Sequence, residues 1–279
     1  MSSGVFSADK AHMKFRMFAA VLAAGLFLPA PASAQGMSSR PAMGENYYLE
    51  LAATWWKPKV KGSITSDSLE LVGSRIDLVD DLGFTETPRF RDIRITLRPA
   101  RKHKLRFQHT PLEYNAEATL TRDISFAGEV FPVSLPVASD LTWKVWRFGY
   151  EWDVVSRSRG FVGVLFELRR TELSAALTSL VASGSVVAEA PLPSIGVVSR
   201  IYPLPDLALN FEFSGFKVPE MDGDYEGTYS DLEVSATVNI SNNLGVSAGW
   251  RRLNTDIRIE RDFGDLKFSG VWFGGAVRF

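Results

Sequence analysis

The chain has 279 residues, enough for one large β domain or two ordinary ones. Charged residues make up 23% and aromatics 12%, which is too polar for a helical membrane protein and too apolar for a disordered chain. The absence of cysteine excludes disulfides, thiolate metal sites and cysteine nucleophiles, and a formal net charge of −1 argues against a nucleic-acid partner.

Lys14 and Arg16 precede an apolar run from Met17 to Leu28, followed by Pro29, Pro31 and Ala32-Ser33-Ala34 before Gln35. A basic flank, an apolar stretch too short to span a bilayer and a small-x-small site are the parts of a secretory signal peptide. Residues 1–34 are therefore expected to be a cleaved signal peptide. Residues 35–46 read as a polar periplasmic lead-in, and 47–279 as one folded domain.

From Tyr47 onward, apolar residues recur at every second position, the period of a half-buried strand. The first strand, about 47–60, sets Leu49, Leu51, Ala53 and Trp55 against Tyr48, Glu50 and Thr54. A long segment to Pro88, with Asp77, Asp80 and Asp81, precedes a strand of Ile93, Ile95 and Leu97 against Asp92, Arg94, Thr96 and Arg98. After a short turn, Leu105 and Phe107 alternate with Arg106 and Gln108, and the pattern blurs near Pro111. A second long segment ends near Asp140. Then Trp146, Phe148, Tyr150 and Trp152 alternate with Arg147, Gly149, Glu151 and Asp153.

The next strands carry Val162 to Leu168 against Glu167 and Arg169, Ile195 to Ile201 against Arg200, and Leu207 to Phe213 against Asn210 and Glu212. Leu232 to Ile240 then alternates with Asp231, Glu233 and Asn239, and Leu244 to Trp250 with Ser247, Gly249 and Arg251. After Arg252 the pattern shifts by one, as a β-bulge would shift it. The last strand puts Val271, Phe273, Gly275, Val277 and Phe279 on one face and Trp272, Gly274, Ala276 and Arg278 on the other. The count is about ten strands, within eight to twelve, joined by short turns that alternate with longer segments.

A terminal Phe preceded by apolar residues at alternate positions resembles the last strand of bacterial outer-membrane β-barrel proteins, of the small OmpA-type or porin-like class. The resemblance covers 47–279 and implies an all-β fold, a transmembrane antiparallel up-and-down β-barrel. It implies outer-membrane lipids and the barrel assembly machinery as partners, with Phe273, Val277 and Phe279 as the C-terminal assembly signal. Trp55, Trp56, Trp143 and Trp250 then read as interfacial girdles. With nothing after Phe279, no peptidoglycan-binding domain is expected.

On this reading the polar strand faces line the lumen. Arg94, Arg98, Arg106, Arg147, Arg169, Arg200, Arg251 and Arg278 meet Glu50, Asp92, Glu151, Asp153, Glu167, Glu212, Asp231 and Glu233. The signs balance and arginine supplies the positive charge, which suits dense carboxylate pairing. Barrels of about eight strands are filled by side chains, and open channels need about sixteen. A largely closed lumen follows, with a narrow, charge-lined channel as the alternative.

Three histidines, His12, His103 and His109, leave few enzymes to propose. His103 falls in a turn, and His109 has Pro111 where a deacylase-type His-x-Ser would need Ser. His109 has no adjacent Asp either, so an outer-membrane lipid or peptide hydrolase is not expected. The carboxylates of Glu220 to Glu226 do not match a calcium loop, and neither metal nor cofactor is expected. The segment 173–188 has no charge before Glu189, and Leu173, Leu177, Leu180 and Val181 fit a helical stripe. It reads either as strands extended above the membrane or as a contact for hydrophobic ligands. The expected function is a non-enzymatic envelope or surface-interaction barrel. The alternative is a passive transporter, a porin-like channel for small solutes or a hydrophobic-ligand conduit.

Overall fold

The computed structural model describes residues 42–65, 73–221, 225–259 and 262–279. The signal peptide and most of the lead-in expected from the sequence lie outside these residues. Thirteen strands follow one another: β1 (Leu49–Thr65), β2 (Ile76–Asp77), β3 (Phe90–Ala100), β4 (His103–Thr119), β5 (Ile124–Phe126), β6 (Glu129–Phe131), β7 (Pro136–Arg157), β8 (Gly160–Thr178), β9 (Ser183–Leu204), β10 (Leu207–Met221), β11 (Tyr225–Asn239), β12 (Leu244–Ile259) and β13 (Asp262–Arg278). Ten of them form the wall. Each pairs antiparallel with its neighbours, and β13 pairs with β1 from Glu50–Arg278 to Thr65–Phe263, closing the barrel. The all-β, ten-strand barrel expected from the sequence is the fold observed.

Closure leaves no free edge at the seam of first and last strands. The Phe279 carbonyl accepts the Tyr48 and Leu49 amides at 2.7 and 3.1 Å, and the Phe279 amide donates to Leu49 at 2.8 Å. One end of the barrel carries the start of β1, the C-terminal Phe279 and the tight turns, and is the turn end. The other carries the two long connections, and is the loop end. Tightness at the turn end depends on glycine in one place. Gly160 has φ +149°, and a Cβ there would lie 2.3 Å from the Arg200 carbonyl oxygen.

The wall is taller than a bilayer. A membrane strand needs about 9–11 residues, whereas β7 and β9 have 22 each. The outer face divides accordingly. Near the turn end it is apolar: Leu51, Ile93, Phe148, Phe166, Leu168, Ile195, Phe273 and Val277 are exposed on the outside. Toward the loop end the outward positions become Lys57, Lys59 and Lys61 on β1, Glu113 and Glu117 on β4, and Arg170 on β8.

The inner face changes in the opposite sense, from charged near the turn end to apolar near the loop end. Trp56, Leu112, Tyr114, Leu141, Trp143, Val145, Leu253, Leu266 and Phe268 fill the upper barrel. The long connections add to this core. Ile76, Leu78, Leu82 and Phe84 come from the first, and Ile124, Phe126 and Phe131 from the β5–β6 hairpin of the second. The two are tied to each other by Arg122, which bonds Asp81 at 2.7 Å and the Arg75 carbonyl at 2.6 Å, and by Ser74 and Ser125.

This inversion corrects several sequence expectations. There is no bulge after Arg252: β12 keeps an unbroken register with β11 and β13 from Leu244 to Ile259. The pattern shifts because the buried face stops being charged and becomes apolar between Arg251 and Leu253. Strand β4 likewise runs through Pro111 to Thr119. Of the four girdle tryptophans, Trp55 and Trp250 lie outside, while Trp56 and Trp143 are 1% and 2% exposed in the inner core. The 173–188 segment is not helical. It is the end of the β8–β9 hairpin, paired up to Thr178–Ser183, with Leu177 buried and Leu180 and Val181 exposed at its tip.

Candidate functional site

The candidate site is the polar interior of the turn-end half, which strand alternation assembles from all ten wall strands. Arg147 on β7 is its hub. Its guanidinium donates to Glu167 at 3.0 and 2.6 Å, Glu212 at 2.9 Å, Asp231 at 3.2 Å and the Gln108 side-chain oxygen at 2.9 Å. Arg169 bonds Glu167 and, at 2.6 Å, Ser214. Arg251 grips Asp231 at 3.0 and 2.7 Å and Asp92 at 3.0 Å. Asp92 also accepts from Thr110 and Gln108. Arg94 bonds Asp92 at 3.3 Å and holds Glu233 bidentately at 2.8 and 2.7 Å.

On the other side of the hub, Arg106 bridges Glu212 at 2.6 Å and Glu151 at 3.1 Å. Lys104 then joins Glu151 at 2.6 Å to Asp153 at 3.1 Å. An unbroken chain of ion pairs therefore crosses the lumen from Asp153 to Glu233. Below it, Arg278 pairs with Glu50, Arg200 with Glu45, and Arg98 with Glu45. Among the described residues the interior holds nine cations (eight Arg and Lys104) against nine carboxylates, a net charge of zero.

The polar layer meets the apolar core through aromatic rings. Arg251 lies over Trp56 at 4.9 Å, Arg169 over Tyr229 at 4.1 Å and Arg94 over Trp272 at 5.6 Å. A guanidinium attracted by a ring face can end a charged layer against hydrocarbon without losing all favourable contact.

The turn end is closed by residues 43–48. The Met43 amide donates to the Pro205 carbonyl at 2.8 Å, and Asn239 donates to the Met43 carbonyl at 3.0 Å. Glu45 accepts from Arg200 at 2.9 Å and from the Tyr202 hydroxyl at 2.7 Å. Burial by itself would raise the Glu45 pKa, but Arg200 and the Tyr202 hydrogen bond hold it below the usual glutamate value. Tyr47, under Arg98 and Arg278, is pushed upward, chiefly by burial. Between Tyr47 and the ion-pair chain lies a cavity of about 130 Å³, bordered by Arg94, Arg106, Glu151, Glu212 and Trp272.

Sequence reasoning missed Lys104 and Glu45. Lys104 shares the parity of Arg106 and Gln108, but lies one residue before the first apolar position used to start that strand. Glu45 sits in a segment without periodicity, so no pattern could have placed it. The two histidines are not brought together with a nucleophile. His109 is on the outer wall, stacked on Trp146 with ring centroids 3.7 Å apart. The His103 ring meets the Tyr150 hydroxyl at 2.6 Å at the turn end. Asp80 and Asp81 belong to the loop-end turn that Asp77 and Arg122 hold together. Part of the acidic segment after Glu220 lies outside the described residues.

The barrel is similar to that of the outer membrane protease OmpT from Escherichia coli, with TM-score 0.54 and 11% identity over 86% of this chain and 99% of that one. Ail, the attachment invasion locus protein of Yersinia pestis, gives TM-score 0.37 and 9% identity over 84% and 100% of the two chains. The Pseudomonas putida toluene transporter TodX gives 0.37 and 8% over 86% and 93%. These are bacterial outer-membrane β-barrels, and the likeness to OmpT establishes that fold and nothing of activity. No protein-family model matches the sequence, and neither does any curated protein.

Proposed function

We propose that this chain is a non-enzymatic integral barrel of the bacterial outer membrane, closed along its axis, that serves envelope integrity or surface interaction through its loop end. The reading rests on one observation above all. A chain of ion pairs, part of a polar interior with no net charge, crosses the lumen beneath an apolar core that occupies the loop-end half. In this orientation the termini and short turns face the periplasm, and the tied loops face outward. The apolar outer belt would be covered by outer-membrane lipids. Export through the signal peptide and recognition of Phe273, Val277 and Phe279 by the barrel assembly machinery complete the reading.

A narrow channel for small solutes would need continuous polar space along the axis. The cavity above Tyr47 has room for a few waters, and hydrocarbon lies above it. Conductance of the refolded protein, Gln35 to Phe279, in planar bilayers tests the choice. No steady current is expected from folded protein. Reproducible channels whose ion selectivity changes on Arg94→Gln or Glu151→Gln would overturn the closed reading.

A further inference from the structure

The barrel wall has a seam. Strands β9 and β10 pair from Leu204–Leu207 up to Ile195–Gly215 and no further. Both continue toward the loop end, β9 held by β8 back to Ser183 and β10 held by β11 up to Met221. Above Ile195–Gly215 the two edges face each other unpaired. The upper ends of β1 and β4 are likewise left unjoined because β3 between them begins only at Phe90, but there β2 adds to β1 and Phe84 packs on Tyr114. No described strand pairs with either edge of the β9–β10 seam.

The sequence explains the seam. Pro191 and Pro193 fall in the unpaired stretch of β9 and Pro219 in that of β10. Proline has no amide hydrogen to give a ladder, and within sheets it is confined to edges and bulges. The seam starts where the outer wall changes from apolar to charged, with Phe211 and Ile195 exposed below and Lys217 exposed above. In the orientation proposed above, that level is the boundary of the outer leaflet.

Along the unpaired stretch of β9 lies a cavity of about 80 Å³. Val186 and Ala188 of β9 form one side, and Leu173, Ala175, Ile64 and Leu266 are among its other apolar walls. Three threonines interrupt this lining, Thr65, Thr171 and Thr255. Thr171 and Thr255 are 4% and 3% exposed, and neither hydroxyl has a hydrogen-bond partner. Buried hydroxyls are normally paired, and an unpaired one calls for a missing partner. Gly264 borders the same space, and a Cβ added there would meet nothing within 4 Å.

We propose that this cavity binds a small amphiphile. Its body would be an alkyl chain of about three or four carbons, because the cavity has about half the volume of the ~150 Å³ apolar cavity that takes the six carbons of benzene. It would carry one oxygen that accepts hydrogen bonds from Thr171 and Thr255, and it would reach the site sideways through the β9–β10 seam. The inference goes beyond the closed-barrel reading and does not rest on it, because a side pocket binds whether or not the axis conducts.

The test uses butan-2-one and n-butane, probes of equal length with and without a carbonyl, followed by ligand-observed NMR on the refolded protein in detergent. Wild type should bind both, the ketone more tightly. Thr171→Val with Thr255→Val should weaken the ketone about tenfold, as loss of two modest hydrogen bonds implies, and leave butane unchanged. Gly264→Phe should fill the cavity and abolish both signals without altering the folded-barrel mobility. No ketone binding to wild type would mean that water satisfies the threonines, and would overturn the proposal. So would equal binding to wild type and Gly264→Phe.

The route is tested by Pro193→Cys with Lys217→Cys, which continue the register across the seam in a chain without other thiols. Oxidation should slow ketone exchange at least tenfold, and reduction should restore it. Unchanged exchange in protein shown to be cross-linked would overturn the sideways route. Failure of the closed-barrel reading would instead appear as conductance, which Gly264→Phe leaves untouched.

Discussion

Replacing Arg147 by methionine tests whether the ion-pair chain holds the barrel together. The guanidinium contacts three carboxylates, Glu167, Glu212 and Asp231, all inside the wall. Removing it leaves eight interior cations against nine carboxylates. Breaking one partner out of a buried ion pair costs about 3–5 kcal/mol, because the remaining charge stays desolvated. Here each stranded carboxylate keeps another cation: Glu167 keeps Arg169, Glu212 keeps Arg106 and Asp231 keeps Arg251. The expected loss is therefore at the lower end, about 3 kcal/mol. A control is Arg170→Met, whose pair with Glu189 is 68% and 51% exposed and worth about 0–1 kcal/mol. The assay is a urea titration of the refolded barrel, read by tryptophan fluorescence and gel mobility. Adding Glu212→Gln to Arg147→Met restores eight against eight, and should recover part of the loss. Equal stability of Arg147→Met and Arg170→Met, within about 0.5 kcal/mol, would refute a structural role for the chain of ion pairs.

Three further expectations concern the closures, and the pocket variants are set out above. Glu45 has a folded pKa below its ordinary 4.5, so its stabilising effect is complete above that value and is lost as pH falls through the lower folded one. Maleimide labelling of Met43→Cys, taken relative to a free thiol at the same pH, should thus be slow and constant from about pH 7 to 5, and Glu45→Gln should speed it severalfold; equal rates would mean that Glu45 does not fasten the strap. Phe131, fully buried in the hairpin over the loop end, should cost about 3 kcal/mol as alanine, whereas Val130→Ala, 47% exposed, should cost nearly nothing. Amide exchange in 124–131 would report the difference, and similar values for the two would show that the hairpin does not pack. Silence in planar bilayers, the fourth expectation, should persist in both Glu45→Gln and Phe131→Ala, since each leaves the ion-pair chain in place.

Strand number and lumen-facing parity were legible because a period of two survives wherever one side of the wall is apolar and the other charged. Leu51 against Glu50, and Phe148 against Arg147, carry that signal without help from neighbours. It failed where both conditions reversed together. Between Arg251 and Leu253 the parity of apolar residues changes although the strand does not bend, and a pattern that looks only for hydrophobic positions reads this as a slipped register. The same blindness put Trp56 and Trp143 at the membrane interface, because a tryptophan near a strand's midpoint looks alike on either face. Ile76, Leu78, Leu82 and Phe84 sat in a segment read as a loop. Their even spacing would fit a strand, but Asp77, Asp80, Asp81 and Gly83 among them read as a turn, and only the barrel mouth they fill explains them. Glu45 and the β9–β10 seam needed tertiary contacts that no local pattern encodes, although Pro191 and Pro193 already argued for an edge.

The two halves of the interior solve different problems, and their order along the axis follows from the surroundings of the wall. Where lipid covers the outside, outward residues must be apolar, so alternation leaves the inward ones free to be charged and pairing satisfies them. Where water covers the outside, outward residues are charged, and the inward ones can form an ordinary hydrophobic core. A barrel tall enough to leave the membrane should therefore invert at the interface, with Arg251, Arg169 and Arg94 beneath aromatic rings as the junction. On the closed reading proposed above, such an interior bars ions twice over, by neutralised charge below and by hydrocarbon above. Exchange through this protein would then have to use its wall, and the wall is unpaired at β9 and β10, beginning at that same interface.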